Sequence, residues 1–221
     1  MIDRIIRSKR KTVALIVEQD GSLTVRAPER LSKRMIEALV REREDWIREK
    51  QVLVRGEYLQ NRPRQVVEGE EFFYLGKPYL LVIVDRINPA LSLTGRFELS
   101  RYKQDKAEQV FVDWYRDQAR SLLHDLVSEF ARKYGYQYRR IRITGAKKRW
   151  GSCNSRGGLN FSWQLVMLPY EIIEYVVLHE LVHTEFPNHS QSFWQKLESD
   201  MPDSSLRRNW LRDNGRRFHF P

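Results

Sequence analysis

Apolar and polar residues alternate along the first thirty positions in the manner of a β-hairpin. Thr12-Val13-Ala14-Leu15-Ile16-Val17 and Ser22-Leu23-Thr24-Val25-Arg26-Ala27 flank Asp20-Gly21, a favoured turn pair. The period then becomes helical: Ser32 can cap a helix to about Leu53, with Met35, Ile36, Leu39, Val40, Trp46 and Ile47 as its apolar positions. Strand-like runs return at Phe72-Phe73-Tyr74-Leu75 and Tyr79-Leu80-Leu81-Val82-Ile83-Val84, on either side of Gly76-Lys77-Pro78. Residues 85–103 are turn-rich, with one more short strand near Arg96–Leu99.

From Lys103 the pattern is helical again. Val110, Trp114, Ala119, Leu122, Leu126 and Phe130 fall on or near one stripe, which predicts a long helix to about Tyr134 with Gly135 as its stop. Arg139–Thr144 reads as a strand, Gly145 to Gly158 as turns, and Leu159–Leu165 as a second strand. The expected fold class is α+β, with a boundary near residue 103. Residues 1–102 form a β-rich region with one helix, and residues 103–221 a mixed region.

Composition narrows the class. With 221 residues, 41% hydrophobic and 12% aromatic, the chain can bury a real core and is not a disordered segment. No apolar run approaches the roughly 20 residues that cross a bilayer, so no membrane partner is expected. The charged N-terminus carries no apolar signal segment, and the single cysteine, Cys153, excludes an internal disulfide; a cytoplasmic protein is the simplest expectation. The net charge is +10 and unevenly spread. Between Glu129 and Glu171 there is no acid, while Arg132, Lys133, Arg139, Arg140, Arg142, Lys147, Lys148, Arg149 and Arg156 all fall there. Arg207, Arg208, Arg212, Arg216 and Arg217 form a second cluster. Such clusters can attract nucleic acid or a nucleotide, or can simply be a solvated basic face.

The chemistry concentrates in His179-Glu180-Leu181-Val182-His183. One helical turn separates the two histidines, so both imidazoles can grip one metal ion, and Glu180 beside them can take a proton from a water. Pro169 suits a helix start, Ile172, Ile173, Val176 and Val177 supply its buried stripe, and Pro187 ends it. Two histidines leave a zinc site one protein ligand short. His189 is the favoured third, because Pro187-Asn188 turns the chain and Ser190 can cap the next helix, which carries Phe193, Trp194 and Leu197. Glu185, Glu198 and Asp200 are rivals, since one zinc-enzyme class uses two histidines and a carboxylate. The six-residue step from His183 to His189 fits the metzincin spacing, but Phe186 stands where that pattern needs glycine. Arg149-Trp150-Gly151-Ser152-Cys153 reads as a tight turn with a packed thiol; a fourth ligand or a nucleophile is the other reading of Cys153.

Lys148-Arg149-Trp150-Gly151-Ser152-Cys153, Leu159-Asn160, Tyr175–His183, Asn188-His189-Ser190 and Phe193-Trp194, taken in order, closely resemble the YgjP-like metallopeptidase family, predicted zinc hydrolases related to SprT/Spartan-type proteases. The resemblance extends to Arg7–Lys11, Asp45-Trp46-Ile47 and Tyr74-Leu75-Gly76. It implies a zincin-like catalytic part, a small sheet over the metal helix, and one zinc ion (Zn2+) per chain held by His179, His183 and His189. By the same resemblance Glu180 is the acid/base and Arg149–Cys153 lies beside the cleft. Lys148 stands where such families often have serine, which adds positive charge there.

Three functions compete at this point. The first is a zinc peptidase acting on polypeptide. The second is a metal-dependent nucleotide pyrophosphatase (UTP-type), in which Lys147, Lys148, Arg149 and Arg156 would neutralise phosphates, although no phosphate-cradling glycine loop supports it. The third is a nucleic-acid-binding protein with a structural zinc, against which stands Glu180 beside an open three-histidine set.

Overall fold

Three small sheets and six α-helices account for most of the residues described by the computed structural model, which are 2–18, 21–61, 65–85 and 87–220. They form two compact units, Met1–Arg62 and Pro63–Pro221.

In the first unit β1 (Arg4–Ser8), β2 (Ala14–Val17) and β3 (Leu23–Pro28) form a sheet in the order β1-β3-β2. The antiparallel β2–β3 pair is the expected hairpin; Asp20 of its turn lies outside the described residues, and Gly21 takes the left-handed φ of 82°. Strand β1 pairs parallel with β3, a tertiary contact that no local alternation announces. Ser32 caps α1 (Lys33–Glu42), its Oγ accepting the Met35 N–H at 3.3 Å. The single helix expected here is two: Arg43 leaves helical geometry at φ −108°, ψ 17°, and α2 (Glu44–Asn61) begins after it. The break changes the phase, so Ile36 and Ile47 join Leu23, Val25 and Ala27 in a small core, while Met35, Leu39 and Trp46 remain exposed.

The second unit opens with β4 (Glu71–Tyr74), β5 (Lys77–Val84), β6 (Leu91–Leu93) and β7 (Phe97–Ser100), ordered β4-β5-β7-β6. The β4–β5 turn is Leu75-Gly76, both residues at positive φ (49° and 79°), as a two-residue hairpin turn requires. A 3-10 turn over Arg101–Lys106 leads into α3 (Ala107–Tyr134), which ends at left-handed Gly135. Phe111, Tyr115, Ala119, Leu123, Leu126 and Phe130 are its buried face, set partly one residue beyond the expected stripe. Phe72 and Phe97 lie 4.5 and 5.0 Å, centroid to centroid, from Phe111. Burying each such ring contributes about 1.5–3 kcal/mol. That shared aromatic core corrects the boundary expected near residue 103: strands β4–β7 and α3 belong to one unit, and the division falls between Arg62 and Pro63.

The third sheet carries β8 (Arg140–Thr144), β9 (Gly151–Cys153) and β10 (Gly158–Ser162) in the order β8-β10-β9. Strand β10 pairs parallel with β8 and antiparallel with β9, leaving β9 at the edge. The β9–β10 turn is closed by Asn154, whose Oδ1 accepts the N–H groups of Arg156 and Gly158 at 2.9 and 3.0 Å. Strand β10 stops at Ser162, short of the expected Leu165, because a 3-10 turn over Trp163–Met167 begins there. The helices α4 (Tyr170–Val182), α5 (Gln191–Asp200) and α6 (Ser204–Asn214) follow. Helix α4 is buried along most of its length, with Ile172, Ile173, Val176, Val177, Leu178 and Leu181 all in the core. Its start is anchored to the β4–β5 hairpin: Leu75 and Gly76 donate to the carbonyls of Val166 and Met167 at 2.9 and 3.1 Å. Among the described residues no helix is long and apolar enough to cross a membrane.

Candidate metal centre

The last turn of α4 carries His179 and Glu180, and His183 follows as its C-terminal cap. The chain then reverses through Thr184–Asn188, and Ser190 caps α5 by accepting the Phe193 N–H at 3.3 Å. This reversal returns His189 to the end of α4. Its Nε2 lies 3.1 Å from His183 Nε2 and 3.0 Å from His179 Nε2, and the ligand atoms of all three residues lie within 4.8 Å of one another.

The arrangement can hold a cation. Two nitrogens each about 2.0–2.1 Å from one tetrahedral ion would stand roughly 3.3 Å apart, close to the observed spacings. His183 Nδ1–H donates to the Phe186 carbonyl at 2.9 Å, which leaves its Nε2 lone pair directed to the centre. His179 is pushed down to about 3, first by burial and then by the charges of His183, His189 and Arg208, so it stays neutral and able to ligate. Its Nδ1 is buried without a hydrogen-bond partner among the described residues. Burial also lowers His189. Phe193 is fully buried and supports all three rings, with centroids at 4.9, 4.5 and 4.8 Å from His179, His183 and His189.

Glu180 is buried at 6% exposure against the edge strand β9. A Cβ on Gly151 would come within 2.7 Å of its Cγ and Oε1, so only glycine lets the strand pass this closely. Burial pushes the carboxyl up to about 8, opposed by the charge of Arg149 and a backbone hydrogen bond from Cys153. A cation on the adjacent histidines would draw it down.

Among the described residues the cluster that could hold a metal ion contains the three histidines and none of the rival carboxylates. Asp200 accepts the Tyr136 hydroxyl and pairs with Lys196 at 2.8 Å, while Glu185 and Glu198 are exposed. Cys153 is no activated nucleophile: its thiol donates to the Asn154 carbonyl at 3.4 Å, and burial, then Glu180, push it up to about 11. Lys147, Lys148 and Arg149 precede β9, and of these Arg149 reaches Glu180 electrostatically. Arg156 sits in the β9–β10 turn.

Sequence reasoning gave no role at the site to three residues that surround the triad. Tyr175 lies one turn before His179, at 5.8 Å between centroids, and helical spacing could have exposed it. Trp194 stacks on His189 at 5.3 Å and 18°. Arg208, from α6, holds its Cζ 4.4 Å over the Trp194 ring, and no local pattern in the sequence connects it to the motif.

Two solved structures show partial likeness to the chain, both metallopeptidase zymogens. Pyrococcus abyssi abylysin is 23% identical with a TM-score of 0.39, covering 42% of this chain and 93% of its own. Methanocaldococcus jannaschii jannalysin is 22% identical with a TM-score of 0.34, covering 39% and 93%. No curated protein gives a significant match. The YgjP-like metallopeptidase domain model matches residues 11–214, and the chain therefore belongs to the YgjP-like metallopeptidase family.

Proposed function

We propose that this chain is a zinc-dependent peptidase in which His179, His183 and His189 hold the metal and Glu180 carries the proton. The observation that supports it most is the convergence of three imidazole nitrogens beside a buried carboxyl on the same helix. Three histidine nitrogens without a fourth protein ligand form the donor set of a catalytic rather than a structural zinc. When bound, zinc supplies a Lewis acid that polarises the scissile carbonyl and acidifies water.

The chain's own residues do the rest. Glu180 accepts a proton from the attacking water on a carboxylate oxygen and passes it to the leaving amine. Gly151 keeps the β9 backbone against that carboxyl. Because β9 is a sheet edge, it can receive an extended polypeptide as an added strand. Phe186 fixes the His183 ring through its carbonyl, and Phe193 fixes all three imidazoles from beneath.

The test is to load the purified protein with one equivalent of zinc and offer it an unstructured polypeptide and nucleoside triphosphates. Peptide-bond cleavage abolished by chelation, and restored by zinc, supports the proposal. Phosphate or pyrophosphate release without peptide cleavage would replace it with nucleotide hydrolysis. Salt-sensitive nucleic-acid binding without either activity would favour a binding protein.

A further inference from the structure

Two neighbouring arginines on α6 are used differently. Arg207 belongs to the scaffold: it pairs with Glu174 and Asp203, both at 2.8 Å, and donates to the Glu171 carbonyl at 2.7 Å. Further along the helix Arg212 pairs with Asp213 at 2.8 Å. Arg208 has no carboxylate partner among the described residues. Its guanidinium lies over Trp194, a ring that also stacks on His189 and meets Phe193 edge-on. Its charge is therefore positioned but not neutralised, next to the third candidate ligand. The field of Arg208 reaches His179, His189 and the Tyr175 phenol. On the β9 side Arg149 is a second cation without an acid partner among the described residues, and it acts on Glu180.

We infer that Arg208 makes this site selective for polypeptides carrying a carboxylate side chain next to the scissile bond. An arginine stacked on an aromatic ring has surrendered little of its hydrogen-bonding edge, and its planar fork suits a carboxylate in two-point contact. Stacking also removes the conformational freedom that an exposed arginine would otherwise lose on binding. Arg149, just before β9, adds to the attraction, so the site repels basic segments. Selectivity of this kind rests on the peptidase proposal, but it concerns the substrate and not the metal.

The test compares peptides identical except for Asp, Asn or Lys beside the cleaved bond, using the zinc-loaded wild type and its Arg208→Gln, Arg208→Lys, Arg208→Glu and Arg212→Gln variants. Wild type is expected to prefer Asp over Asn by about tenfold in kcat/KM, the size of one charge-assisted contact. Arg208→Gln should remove most of that ratio, Arg208→Lys keep more of it, Arg208→Glu invert it toward Lys, and Arg212→Gln leave it intact. Binding of the same peptides to the Glu180→Gln protein, read by fluorescence anisotropy, should follow the same order. An unchanged ratio in Arg208→Gln overturns the inference, as does an equal loss on every peptide with zinc content preserved. Wild type that cuts peptides without acidic preference sinks the inference alone, whereas wild type that cuts none sinks the peptidase reading with it.

Discussion

Gly151 and Glu180 touch: a methyl group at position 151 would stand 2.7 Å from the glutamate's Cγ and Oε1. Strand β9 is thus set against the carboxyl that the proposed mechanism uses, with nothing between them. Gly151→Ala should displace Glu180 and lower kcat by about 10–100-fold, the cost of moving a catalytic group by a fraction of an ångström to one ångström. Zinc content should be unchanged, since the three histidines lie outside that contact. Metal analysis together with peptide turnover checks both halves.

A second close glycine, Gly76, holds α4 from its start. Gly76 has φ 79°, and a Cβ there would meet Pro169 Cα at 2.8 Å. Gly76→Ala combines backbone strain with a clash against Pro169, which the core holds in place. We expect a loss of about 1–3 kcal/mol in unfolding free energy, measurable by denaturant titration. A loss within a few tenths of a kcal/mol would show that the hairpin yields independently of α4.

Cys153 should be a spectator thiol. Burial holds its folded pKa at about 11, so at neutral pH it is almost wholly protonated. Alkylation should be slow near pH 7 and accelerate toward the alkaline range, and Cys153→Ser should retain peptidase activity within about twofold, because Glu180 is contacted by the backbone of residue 153. Rapid alkylation at neutral pH accompanied by inactivation would restore the nucleophile reading.

Acid should weaken the fold through His219. This ring stacks on Trp150 at 4.9 Å and 10°, with Nδ1 3.2 Å from Gln164 Oε1. Burial, then Lys147, lowers its pKa in the folded state. The folded form therefore favours the neutral ring, and the stability it contributes above the unfolded pKa of about 6.5 is lost as pH falls through the folded value. Denaturation midpoints at about pH 7.5 and about pH 5.5 should differ more in the wild type than in His219→Gln. Equal differences would mean that His219 titrates alike in both states.

The convergence of the three candidate ligands was legible because its signals are local. The one-turn spacing of His179 and His183, the Pro187-Asn188 break and the Ser190 cap together bring His189 back to the helix end. What escaped was set by tertiary contact. The helix break at Arg43 carries neither glycine nor proline. Strand β9 is only three residues long inside a turn-rich stretch, and β1 exists because β3 is there to pair with it. The boundary near residue 103 marked a real change of period at the start of α3, but period says nothing about which elements share a core. Phe72 and Phe97 packing on Phe111 decide that. Arg208 was visible only as one member of a basic cluster; its seat on Trp194 depends on α5 and α6 being brought together.

The central claim is that Glu180 moves the proton at a metal held by three histidines. It is tested most directly by the rate of peptide hydrolysis in Glu180→Gln at zinc content matched to the wild type. The account predicts full zinc occupancy with the rate down by about 10²–10⁴-fold, the range for removing a general acid/base. Glu180→Gln that holds zinc and cleaves at the wild-type rate would contradict it.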